Sequence, residues 1–259
     1  MNVEGYEIWP GTLSDHQKYR IPSKDMEKLK QAMLHTLDLF HRHVEEHRIY
    51  YSLSGGSLIG FYCGGDMIPW DDDIDVEIRQ EDVLHFVKMW QSGARSEKIT
   101  KYKRGFDNTH TRIIELYGEK FEIIMNEPTY TPGKKWLMKL RPVDHDCFHN
   151  VPGGLDIATV YTEVPEKLIN SWDLCTLGID PADMTPTGCP EVQFGGVKTR
   201  ALKPEVGKSY LNHKYGKKWS IKKHPMIKLK HDPLFRRLVR RLRFRRLVRR
   251  LRSITSPRD

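Results

Sequence analysis

The stretch Ile68-Pro69-Trp70-Asp71-Asp72-Asp73-Ile74-Asp75-Val76-Glu77-Ile78 constrains this chain more than any other. Aspartate fills four of the five positions from 71 to 75, and from Asp73 onward the residues alternate strictly. Successive side chains of a strand point to opposite faces. Ile74, Val76 and Ile78 therefore share one face, and Asp73, Asp75 and Glu77 share the other. Carboxylates held this close repel one another, which a plain core does not tolerate. The strand must lie open to water or meet a cation. A divalent metal is the expected occupant, which points to a metal-dependent transferase acting on a nucleotide-linked substrate.

A second signal precedes it. Ile49 to Leu53 reads as a short strand rich in β-branched and aromatic residues, and it runs into Ser54-Gly55-Gly56-Ser57. Leu58, Ile59, Phe61 and Tyr62 then predict a short helix with Ser57 near its start. Strand, glycine turn and helix N-terminus form a phosphate-binding arrangement, because free N–H groups and the helix dipole favour an anion. The gap to Asp73 suits two short strands lying side by side, with the turn and the carboxylates at one site.

Around these signals the pattern is mixed. Met26, Leu29, Met33, Leu37, Phe40 and Val44 recur at helical spacing after a candidate N-cap at Ser23, predicting a helix to about His47. His43 and His47 stand four apart, as zinc ligands would, but Val44 occupies the place of the zinc-protease glutamate. Together with His41 they read as a solvated polar face. Residues 80–91 predict a helix with Val83, Leu84, Val87 and Trp90 on one face. Residues 98–103, 111–117 and 120–126 predict strands, the last two joined by a tight turn at Tyr117-Gly118-Glu119. Residues 127–142, with three prolines, predict loop. Gly153-Gly154 introduces a strand over 155–160 that carries Asp156, and residues 165–172 predict a short helix. Residues 173–190 are loop-rich, 191–201 predict a hairpin around Gly195-Gly196, and 204–215 predict a helix closed by Gly216. His145-Asp146-Cys147-Phe148-His149 has zinc-type ligands but no second pair at a standard spacing, so it reads as a polar loop.

Charge is uneven. The formal net charge is +9, yet residues 235–252 hold ten arginines and no acid, so the remainder is nearly neutral. Residues 235–243 are repeated unchanged as 244–252. One copy places Phe235, Leu238, Val239 and Leu242 on one face of a basic helix, a pattern suited to an anionic membrane surface. A nine-residue repeat advances about 900°, so one straight helix would be apolar on both sides. No aromatic interleaving accompanies the arginines, which speaks against nucleic acid. No run of 18 apolar residues predicts a membrane span, and the first ten residues show no secretory signal. Cys63, Cys147, Cys175 and Cys189 lack CxxC spacing and read as free thiols in a reducing compartment. The expected location is cytoplasmic or peripheral to a membrane, with the Golgi lumen left open.

The glycine turn Ser54-Gly55-Gly56-Ser57-Leu58-Ile59-Gly60 followed by Ile68 to Asp75 resembles the signature of the LicD/fukutin family. Tyr210-Leu211-Asn212-His213-Lys214-Tyr215-Gly216-Lys217-Lys218-Trp219 resembles that family's closing YLxxxYGxxW pattern. The resemblance spans roughly residues 25–220 and departs where many members have Gly-Thr-Leu-Leu; Ser57 keeps the hydroxyl. It implies an α+β fold, a nucleotidyltransferase-like mixed sheet flanked by helices, assigned to residues 1–228; the arginine repeat makes residues 229–259 a basic helical tail. The resemblance implies transfer of a phospho-alcohol, of phosphocholine or ribitol-phosphate type, from a CDP-linked donor (CDP-choline or CDP-ribitol type) to a glycan hydroxyl. By the same resemblance Asp73, Asp75 and Asp156 are the catalytic carboxylates, and with Asp71 they hold Mg²⁺ or Mn²⁺. Gly55, Gly56 and Ser57 would hold donor phosphate. No motif names the cation that grips the donor; Arg112, Arg200 and Lys203 are the candidates. Competing readings are a nucleotidyltransferase or DxD glycosyltransferase with a nucleotide-linked donor, a calcium-binding loop, and an inactive membrane-associated scaffold.

Overall fold

The computed structural model describes residues 2–3, 6–7, 23–68, 71, 73–95, 110–143, 154–163, 167–172, 174, 176–217 and 219. The arginine repeat, the strand expected at 98–103, the His145–His149 cluster and Asp72 lie outside the described residues.

The chain is mixed α+β. In order it forms β1 (Asn2–Val3), β2 (Tyr6–Glu7), α1 (Ser23–Glu46), β3 (Tyr51–Leu53), α2 (Gly55–Gly64), β4 (Ile74–Arg79), α3 (Val83–Ser92), β5 (Ala94–Arg95), β6 (Thr111–Leu116), β7 (Glu119–Met125), β8 (Met138–Pro142), β9 (Leu155–Glu163), β10 (Lys167–Asn170), β11 (Glu191–Phe194), β12 (Val197–Arg200) and α4 (Pro204–Tyr215). Eight strands form one sheet in the order β3-β4-β9-β8-β7-β6-β5, with β10 also on β9. The β4–β9 pair is parallel, whereas β3–β4 and β8–β9 are antiparallel, so the sheet is mixed. The parallel pair is the step that needs a long crossover, and it brings residues from opposite ends of the domain into one register.

The alternation in β4 does what parity demands. Ile74, Val76 and Ile78 are fully buried, each contributing about 1.5–3 kcal/mol of apolar burial. Leu29, Met33, Leu37, Phe40 and Val44 of α1 are buried in the same core. The turn at Tyr117 and Gly118 has positive φ at both residues, 52° and 83°, as a two-residue hairpin connection requires. Among the described residues no helix is long and apolar enough to cross a membrane. Cys63 and Cys189 are free and buried, and burial pushes both thiols up to about 12, so they are protonated at neutral pH.

Four local expectations are corrected. Residues 138–142, expected as loop, form β8, whose five residues are all buried and pair with β7 and β9. Pro142 ends the strand opposite Phe121, where a missing N–H is tolerated. Residues 167–170, expected as helix, form β10, because the second half of β9 offers them an antiparallel partner from Val160 to Glu163. Leu84, expected on the buried face of α3, is 67% exposed, and Phe86 takes the buried place with Val83, Val87 and Trp90. The solvated face expected for His41, His43 and His47 holds only for His47, which is exposed. His41 is buried with Nδ1 at 3.0 Å from the Tyr51 hydroxyl, and His43 is half-buried against His85 of α3. Local periodicity could not show that α3 packs beside this end of α1.

Candidate functional site

The register of the central strands builds the site. Asp75 on β4 lies beside Asp156 on β9, and Asp156 lies beside Lys139 on β8. Neighbouring residues in register project to the same face, so two acids and one lysine form a row across three strands. Asp73, just before β4, joins them: ligand oxygens of Asp73, Asp75 and Asp156 lie within 4.8 Å of one another. All three expected catalytic carboxylates are therefore brought together. Asp71 is buried in the preceding loop, with its N–H donating to the Ile68 carbonyl at 2.9 Å, and stands outside that three-oxygen group.

Like charges at this spacing need a counterweight. Lys139 pairs directly with Asp156. Even so, burial and the charges of Asp73 and Asp75 outweigh the lysine and push the Asp156 carboxyl up to about 7. That residual excess of negative charge, presented by hard oxygen donors on rigid strands, is the environment a divalent cation would relieve. The residues present fit such an ion.

The glycine turn is wired to Asp75. Gly55 has φ +52, a left-handed conformation that glycine adopts without strain. A Cβ there would lie 2.5 Å from Asp75 Oδ2. The Gly56 N–H donates to Asp75 Oδ2 at 3.2 Å, and the Asp75 N–H donates to Ser57 Oγ at 2.9 Å. The Ser54 N–H donates to the Asp75 carbonyl at 2.9 Å, extending the β3–β4 ladder into the turn. Gly56 and Ser57 thus position an acid in this structure, in addition to standing at the start of α2.

A cleft of about 290 Å³ opens beside the carboxylates, lined by Ser54, Gly55, Asp75, Asp156, Asn170, Trp172, Lys214 and Tyr215 among others. None of the cations named from the sequence lines it. Arg200 forms a two-pronged pair with Glu45, at 2.6 and 2.8 Å. Arg112 lies over the Trp90 ring at 5.0 Å and donates to the Gly93 carbonyl. Lys203 is exposed before α4. The lysines at the site are Lys139 and Lys214. Lys139 was hidden in a segment read as loop, although the order Met138-Lys139-Leu140 carries a period-two signal.

Glu77, the last acid of the alternating face, is fully buried and has a different task. It accepts from Asn170 Nδ2 at 2.6 Å and from the Tyr210 hydroxyl at 3.2 Å. Lys214 donates to the same hydroxyl at 3.3 Å, and the Gly55 N–H donates to it at 3.4 Å. This network fastens α4 to β4, β10 and the glycine turn at once. The closing YLxxxYGxxW segment is what supplies it: Tyr210 and Leu211 are fully buried, Tyr215 lines the cleft and Trp219 is buried.

Residues 48–128 match the family described as LicD/FKTN/FKRP, nucleotidyltransferase domain. A lipopolysaccharide cholinephosphotransferase, LicD, of Haemophilus influenzae is 47% identical over 57 residues, covering 22% of this chain and 22% of that protein. An uncharacterised protein of Rickettsia typhi is 32% identical over 112 residues, covering 42% and 32%. Another from Rickettsia prowazekii is 30% identical over 108 residues, covering 41% and 39%. The matched segments span less than half the length of each relative. The glycine turn and the aspartate strand both lie inside residues 48–128, and over that segment this chain is similar to the LicD family.

Proposed function

We propose that this protein is a metal-dependent phosphotransferase that moves a phospho-alcohol, of phosphocholine or ribitol-phosphate type, from a CDP-linked donor to a glycan hydroxyl. The observation that carries the reading is the meeting of Asp73, Asp75 and Asp156 beside the glycine turn and an open cleft. The name of the Haemophilus influenzae relative, a cholinephosphotransferase, supports a phosphocholine-type payload.

The three carboxylates would hold Mg²⁺ or Mn²⁺, since both prefer oxygen ligands. When bound, such an ion neutralises donor phosphate and the departing nucleotide. The chain's own residues do the rest. Gly56 and Ser57 fix the orientation of Asp75. Lys139 holds Asp156 in the row, where it would complete the coordination or take the proton of an incoming hydroxyl. Lys214, anchored on Tyr210, adds positive charge to the cleft wall where an anionic donor would lie.

The test is product analysis with CDP-choline, CDP-ribitol and CDP-glycerol in the presence of either metal. Release of CMP is expected; release of pyrophosphate from a nucleoside triphosphate would instead favour nucleotidyl transfer. Metal binding should also depend on pH in a defined direction. Because the folded-state pKa of Asp156 is raised, the metal-free protein loses stability as pH rises from the ordinary carboxylate range through about 7. Below that value a proton on Asp156 competes with the cation. Thermal stabilisation by Mg²⁺ should therefore be larger near about pH 8 than near about pH 6, approaching about 2.7 kcal/mol at a hundredfold excess over Kd. Equal stabilisation at both would remove Asp156 from the ligand set.

A further inference from the structure

We propose that His43, His47 and His85 form a second metal site, which takes a first-row divalent cation of the zinc class and clamps α1 to α3. This site shares no residue with the aspartate cluster, and the inference does not depend on the proposed reaction.

The geometry comes from two helices. His43 in the last turn of α1 and His47 just past its end stand four residues apart, with ring centroids 4.3 Å apart. His85 enters from α3, with centroids 5.0 Å from His43 and 4.4 Å from His47. One ligand nitrogen from each ring lies within 4.8 Å of the others. The helices meet on an apolar floor: Phe40 stacks on Phe86 at 6.0 Å, and Phe86 meets the His85 ring edge-on at 5.4 Å.

The protonation pattern is that of a ligand set. His47 Nδ1 is 2.8 Å from the His43 carbonyl. A carbonyl can only accept, so Nδ1 carries the hydrogen and Nε2 keeps its lone pair. A second hydrogen bond that fixes the tautomer is the usual support of a metal-bound imidazole. His43 Nε2 and His85 Nε2 lie 2.8 Å apart, so a single proton lies between two imidazole nitrogens. Two lone pairs aimed at each other would repel, so one of the two rings carries that hydrogen. A zinc-class ion at about 2.0–2.1 Å from each nitrogen would replace the proton and widen the pair to roughly 3.3 Å, within reach of small side-chain rotations. Of the charged neighbours, Glu46 acts on His43 and is engaged by Tyr117, while Lys88 acts on His85. His47 is exposed, which leaves the fourth position to water.

Selectivity separates this site from the aspartates. Imidazole nitrogen favours zinc, copper, nickel and cobalt, whereas carboxylate oxygen suits magnesium and manganese. The test uses full-length, untagged protein, stripped with chelator and dialysed against equimolar Zn²⁺ under a large excess of Mg²⁺. About one Zn²⁺ per chain is expected in the wild type and in Asp75→Asn. Zinc affinity should fall at least roughly tenfold in His85→Gln and in His47→Gln. Substitution by Co²⁺ should give the visible absorption of a tetrahedral nitrogen site, absent in both variants. His47→Gln changes an exposed ring, so it reports even if His85→Gln does not fold. Zinc retained by folded His47→Gln at wild-type affinity, or no zinc in the wild type, overturns the proposal.

Discussion

Replacing Asp75 by Asn is expected to lower CMP release by about 10²–10³-fold while leaving the metal-free protein as stable as the wild type, or more so. The two halves of this expectation have separate causes. Asp75 is the acid nearest the glycine turn and one of three whose oxygens converge within 4.8 Å. In the proposed reaction its charge would hold the cation, and through it the donor phosphate, in register. The fold, however, uses Asp75 mainly through its backbone, which pairs with Ser54 and Ser57. The one side-chain bond, from the Gly56 N–H, can be accepted equally by the amide oxygen of Asn. Removing one of three mutually repelling charges relieves the metal-free state. Donor turnover and thermal unfolding without metal check both halves. A variant that transfers at near wild-type rate, or that unfolds, would contradict the assignment.

Gly55→Ala should be as damaging to turnover, by a steric route. A Cβ at Gly55 would stand 2.5 Å from Asp75 Oδ2, on a residue with φ +52. The left-handed backbone alone costs an alanine about 1–2 kcal/mol. The contact then forces Asp75 off its position against Gly56, and a displacement of about 1 Å at a reacting group can cost on the order of 10²-fold in rate. Gly196→Ala is the control. Gly196 has φ +89 in the β11–β12 turn, but nothing lies within 4 Å of its Cβ position. Both variants should lose stability in urea, and Gly55→Ala alone should lose turnover. Equal turnover in the two would mean that the glycine turn does not position Asp75.

The glycine effect shows why some of this site was legible in the chain. Ser54-Gly55-Gly56-Ser57 announces a backbone that needs left-handed φ next to a helix start, and that is where α2 begins. α1, α4, the β6–β7 turn and the β11–β12 hairpin carry equally local signals, and each formed where its residues predicted. β8 and β10 did not, because their state depends on partners. The five residues of β8 become a strand by filling the space between β7 and β9, and residues 167–170 extend because β9 runs beside them. Leu84 and Phe86 traded places for a similar reason. In a short helix the boundary of the apolar face is set by what packs on it, here Phe40 of α1.

The sequence by itself determined that Asp73 and Asp75 share a face, since parity within one strand is a local property of the backbone. It also determined that Ile74, Val76 and Ile78 turn into the core. Only the tertiary structure decided that β9 lies beside β4 and β8 beside β9. That order sets Asp156 and Lys139 in the same row as Asp75, although 80 and 63 positions separate them along the chain. Strand neighbours are chosen by the packing of the whole sheet, and no local pattern carries that choice. The opening stretch therefore set two acids on one face, while the long-range pairing supplied the third carboxylate and the lysine beside it.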